Sequence, residues 1–159
     1  MPTADTERTT TVTADELRVA PLESIYDLFE LLGYREWTDE NGSVVVELPV
    51  ASHIINHAGA IQGGFIATLV DTVAGRAVIN SLTERKLVVT SDMTIRYIRG
   101  VREGFARGTA RVVHLGRRSA VIDITITEEP SGKVAAVASA NFAIMEPPAG
   151  VTKADLNAV

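Results

Sequence analysis

Residues 64–81, GFIATLVDTVAGRAVINS, constrain this chain more than any other stretch. At helical spacing their apolar residues cover nearly every side, so a helix made from them must be buried. Downstream the chain is β-like, with runs at 86–99, 104–115, 118–128 and 133–145 separated by RGVREG, GRR and EPSGK. Connections this short join antiparallel strands and leave no room for crossover helices. The pattern predicts an antiparallel meander wrapped around one central helix, an α+β domain. The closing run, KVAAVASANFAIM, is apolar on both faces. One face would meet the helix and the other a partner, so a dimer is expected.

Upstream, TADELRVAPLESIYDLFELLGY reads as a short helix, with Leu22, Ile25, Leu28, Phe29 and Leu32 at helical spacing and Gly33 ending it. YREWTDENGSVVVELPV reads as strand, turn, strand around Asn41-Gly42. Residues 1–13 are expected to be a disordered tail, 14–146 a single domain and 147–159 a second tail. A chain of 159 residues is long enough to bury one core.

Several chemistries drop out. With no cysteine there is no disulfide, thiolate nucleophile or Cys-ligated metal. The three histidines, His53, His57 and His114, show no metal-ligand spacing, so neither metal nor cofactor is expected. No apolar run is long enough to span a bilayer, and MPTADTERTTTVT lacks the build of a secretory signal. The expectation is a cytoplasmic protein with no membrane association. The net charge of −5 hides an asymmetry: residues 1–50 carry 11 acids and 3 bases, whereas 85–118 carry 9 bases against Asp92 and Glu103. An acidic chain with one basic stretch suits a small anionic ligand better than a nucleic acid.

Asp71 stands out inside the apolar helix. A carboxylate there costs several kcal/mol, on the order of a buried unpaired charge, unless something compensates it. Its own face carries Ala67, Ala74, Gly75 and Val78, while Thr68, Thr72, Arg76 and Asn80 form a polar side further round. Gln62, Gly63 and Gly64 lie at the helix N-terminus, where unpaired N–H groups and the positive end of the dipole face outward. Adjacent glycines let a ligand approach the backbone, as an oxyanion hole requires. That terminus and Asp71 are about 12 Å apart along the axis, too far to share one atom unless a second subunit or an extended ligand bridges them. On spacing alone two readings stay open. Gly-Gly ends a loop and Asp71 pairs with an arginine, or both belong to a site.

NHAGAIQGGFIATLVDTVAGRA resembles the Asn-x-x-Gly-x-x-His-Gly-Gly…Asp signature of PaaI-like acyl-CoA thioesterases, through Asn56, Gly59, Gly63, Gly64, Leu69 and Asp71 with their intervals kept. VVTSDMTIRYIRGVREG, HLGRRSAVIDITI and KVAAVASANFAIM resemble later strands of the same family, so the likeness spans roughly residues 20–146. It implies the hotdog fold, a homodimer often doubled into a homotetramer, and hydrolysis of acyl-CoA at the subunit interface. By position it implies Asp71 as general base or nucleophile, the Gly63 N–H as oxyanion donor, Asn56 as a positioning group, and Thr90, with Ser91 beside it, assisting the water. Gln62 departs from the pattern, standing where His is usual. It can hold the carbonyl or tether the loop but cannot carry a proton at neutral pH. CoA's phosphates would suit Arg99 and Arg102 in one connection and Arg117 and Arg118 in the Gly116 hairpin.

Two rivals remain. A hotdog dehydratase or hydratase uses a His with an acid, the His in a proline-rich segment or a few residues after an Asp; DTVAGRA has no His after Asp71 and NHAGAIQGG has no proline. A non-catalytic acyl-CoA sensor can do without the acid that Asp71 supplies.

Overall fold

A computed structural model describes residues 25–147 of the chain. The expected tail at 1–13, Leu22 of the first helix and the residues after 147 lie outside them. The elements run α1 (Ile25–Leu31), β1 (Arg35–Thr38), β2 (Val44–Pro49), α2 (Gly63–Ser81), β3 (Leu87–Tyr97), β4 (Phe105–Leu115), β5 (Ser119–Glu129) and β6 (Lys133–Met145). All strand pairs are antiparallel, in one six-stranded sheet of order β1-β2-β4-β5-β6-β3. The sheet curves around α2, which packs against β2, β3, β4, β5 and β6. This is the hotdog arrangement that the resemblance implies.

Alternation along the strands explains the core. Val44, Val46 and Leu48 of β2, Ile122, Ile124 and Ile126 of β5, and Ala136, Ala138, Ala140, Phe142 and Ile144 of β6 are buried against the helix. α2 answers with Ile66, Leu69, Val70, Val73, Ala74, Ala77 and Val78. Each fully buried valine or isoleucine contributes about 1.5–3 kcal/mol. The alanines of β6 let the helix sit close, and Gly75 faces the Phe142 ring.

One sequence expectation needs correcting. The last four strands do not form a continuous meander. β4, β5 and β6 do, but β3 pairs with β6 and β4 pairs with β2. The connection 98–104 therefore passes over two strands, a span of about 14 Å at the usual interstrand spacing, well within the reach of seven residues. A short connection permits a hairpin without requiring one. In a strongly curved sheet the strand after the central helix is better placed at the far edge. β1 and β3 are thus the two edges.

Candidate functional site

The segment before α2 is a closed loop. Asn56 accepts at Oδ1 from the N–H of Ala58 (2.9 Å) and Ala60 (3.2 Å), and its own N–H donates to the Ala60 carbonyl at 2.8 Å. Gly59 completes the turn at φ +73, a conformation glycine adopts without penalty. The Gln62 N–H donates to Ile54 O at 2.8 Å and the Ile61 N–H to Val101 O at 2.9 Å, which ties this loop to 98–104. The chain is thereby delivered to Gly63 in a fixed direction.

Gln62 is the N-cap of α2. Its Oε1 accepts from the Gly64 N–H at 2.7 Å. A Cβ on residue 64 would sit 2.7 Å from that oxygen, so a larger residue there would displace the cap. The Gly63 N–H has no hydrogen-bond partner among the described residues. It is the open donor at the positive end of a 19-residue helix.

Two turns along, Asp71 is half-buried, and Thr90 Oγ1 donates to its Oδ1 at 2.6 Å. Its partner is this hydroxyl and not an arginine; Arg76, on the other side of the helix, pairs with Glu36 at 3.3 Å. Oδ2 of Asp71 has no partner among the described residues. A bulge between Thr90 and Asp92 lets Thr90 and, three residues later, Met93 both face inward. Ser91 is the extra residue at that bulge and is exposed.

A cleft of about 340 Å³ opens at the start of α2, lined by Asn56, Gly63, Ile66, Tyr97, Arg99 and Val101. Tyr97 Oη donates to the Gly63 carbonyl at 2.8 Å. A hollow of about 490 Å³ shares Ile98, Arg99 and Gly100 with this cleft and continues to Arg102, Glu128 and Lys133. There Glu128 Oε1 accepts from the Arg102 N–H at 3.0 Å. That bond foremost, then Ser131 and the Glu103 N–H, hold the Glu128 carboxyl below its usual range.

The structure thus brings Asn56, Gly63 and Arg99 to one cleft, with Gln62 and Gly64 at its rim, and joins Thr90 to Asp71. It separates the two arginine pairs. Arg117 and Arg118 lie in the β4–β5 hairpin, exposed, at the opposite end of the strands from Arg99 and Arg102. Eleven residues of β4 put about 35 Å between them. Within one chain they do not converge on one ligand, because loops at the two ends of a strand cannot meet. His53, His57 and His114 are exposed, and no cluster of metal-ligating side chains exists among the described residues. Tyr97 escaped the sequence reading. Its signal was its alternation with Met93 and Ile95; what the sequence does not give is its partner, the Gly63 carbonyl.

The sequence pattern of the Thioesterase superfamily matches residues 58–135. The proofreading thioesterase EntH of Klebsiella pneumoniae is 31% identical over 90 residues, 57% of this chain and 66% of that protein. A Halobacterium salinarum protein that carries an esterase name is 30% identical over 106 residues, covering 64% of this chain and 70% of its own. The crystal structure of a Bacillus halodurans protein with CoA superposes with a TM-score of 0.71 at 27% identity, over 76% of this chain and 79% of that one.

Proposed function

The chain belongs to the thioesterase superfamily, and from that premise we propose that it hydrolyses acyl-CoA thioesters at an interface between two of its copies. The observation that carries this reading is Asp71, held by Thr90 of β3 at 2.6 Å, on the same helix as the Gly63 N–H, which has no partner among the described residues. The CoA held by the Bacillus halodurans relative supports the choice of CoA as the thiol carrier.

In this reading the thioester carbonyl points at the Gly63 N–H of one copy, and Asn56 lines the pocket beside it. Asp71 of the other copy approaches the acyl carbon. Oδ2 takes a proton from water as the water oxygen attacks, or attacks the carbon itself to form an anhydride that water then opens. Either way the tetrahedral oxyanion rests on Gly63 N–H, the carbon–sulfur bond breaks, and CoA leaves as a thiolate that takes up a proton. Thr90 orients the carboxylate. A second copy is needed because Gly63 and Asp71 are about 12 Å apart in one chain. The long edge of β3, unpaired among the described residues, with the exposed Val89 on it and Ile98 just after it, supports pairing there. Pairing of such dimers into a tetramer follows the family. Arg99 and Arg102 take the nucleotide of their own copy's cleft, while Arg117 and Arg118 reach a nucleotide only in another copy's site. Gln62 holds the helix start, and Gly64 and Ser91 border the substrate path.

A panel of short, medium and aryl acyl-CoAs assayed for released thiol tests the reading. Turnover of at least one is expected. Tight binding of the panel without thiol release makes the protein an acyl-CoA sensor instead.

A further inference from the structure

Among the described residues β3 is fastened to α2 by two polar side-chain contacts, and both helix partners belong to residues assigned to the chemistry. One is Thr90 to Asp71 at 2.6 Å; the other is Tyr97 to the Gly63 carbonyl at 2.8 Å. Met93 and Ile95 pack against the core between them. The second contact takes no part in the reaction steps proposed above, although Tyr97 lines the cleft with Asn56 and Gly63.

We infer that Tyr97 is a positioning residue that holds the oxyanion donor of Gly63 in place and covers it. The inference rests on the hydrolase reading. The Gly63–Gly64 peptide is gripped at both ends: its carbonyl accepts from Tyr97 Oη, and its N–H donates to Gln62 Oε1 at 2.7 Å. The next peptide back carries the open Gly63 N–H, and its orientation follows from the one that is gripped. A donor stabilises an oxyanion most when it is oriented before charge develops, so that no reorganisation is needed at that moment. The ring contributes as well. Its Cε1 and Cζ lie 3.5 Å from where a Cβ on Gly63 would be, so the phenol roofs the glycine. Excluding water there strengthens the bond from the donor to the oxyanion. Fold stability does not require the hydroxyl: Tyr97 is 54% exposed, at the end of an edge strand.

Tyr97→Phe keeps the roof and removes the grip. With the acyl-CoA turned over fastest, kcat should fall about five- to tenfold, the size of one net hydrogen bond, with KM within about twofold and the melting temperature unchanged. By NMR, exchange of the Gly64 amide hydrogen, which is bonded to Gln62 Oε1, should accelerate. In the Gln62→Ala/Tyr97→Phe double variant the loss should be smaller than the product of the single losses, because both side chains hold one peptide. Wild-type kcat and unchanged amide exchange in Tyr97→Phe overturn the assignment. So does a lower melting temperature with normal kcat per folded molecule, and so do losses that simply multiply. No thiol release by the wild-type protein from any thioester sinks the hydrolase reading itself, an outcome distinct from active wild type beside equally active Tyr97→Phe.

Discussion

At one edge of the sheet, β1 is four residues long and its side chains are engaged in structure. At the other, β3 is eleven residues long and its side chains touch the two groups proposed to carry the chemistry. Around β1, Glu36 pairs with Arg76 of α2, and Arg107 both bonds the buried Glu47 at 2.6 Å and lies 5.8 Å from the Trp37 ring. Arg35 lies over Phe105 at 5.4 Å. Burial, followed by the Glu36 carboxylate, pushes the nearby Tyr34 phenol up, so it stays protonated. A short edge bearing charged side chains is a poor template for another chain. Among the described residues β3 has one side paired with β6 and the other open along its length. One edge is short and carries side chains tied up in ion pairs and ring contacts, while the other is long and, in the proposed dimer, meets a second copy. The proposed site sits at the long edge.

The sharpest way to break this contrast is Asp71→Asn, which preserves shape and removes the base. It should lower kcat by at least about 100-fold while leaving assembly and melting unchanged. Near-normal turnover would take the β3 edge out of the chemistry.

Next comes the edge as an interface. Val89→Asp, at a position 42% exposed, puts a charge on β3. Sedimentation should show monomers and activity should drop about tenfold or more, because Gly63 and Asp71 no longer meet across copies. Thr38→Asp on β1 should change neither. Equal dissociation by both variants would mean that the edges do not differ as described.

The arginine loops give a smaller effect. Arg99→Ala/Arg102→Ala should raise KM for acyl-CoA about fivefold, less at high salt, with kcat little changed. Arg117→Ala/Arg118→Ala should raise it less, and neither pair should affect a short thioester lacking the nucleotide. The smallest effect belongs to β1. Arg76→Ala should cost about 0.5 kcal/mol in denaturant unfolding, since the Arg76–Glu36 pair is only partly buried, with kcat unaltered.

Much of this was legible in the residues. The apolar character of 64–81 demands burial in any context, and the helix was found within one residue of its start, at Gly63. Alternation in KVAAVASANFAIM put Ala136, Ala138, Ala140, Phe142 and Ile144 on one face, which is the buried one. Gly-Gly followed by Asp71 marked a helix terminus and a carboxylate as worth pairing. These are properties of local periodicity, which assigns each side chain to a face whatever the neighbours are.

Neighbours are another matter. Which strand lies beside which depends on how the curved sheet wraps α2, and that placed β3 next to β6; the Arg99 and Arg117 loops fall at opposite ends because β4 alone runs between them. The bulge near Ser91 brought Thr90 onto the same face as Met93, Ile95 and Tyr97, a change of register that no alternation rule contains. Gln62 found its partner in the Gly64 N–H because that donor is left over at the helix start. Periodicity along a chain settles orientation; partners are chosen by packing between segments far apart in the chain, and the contacts at this site are of that second kind.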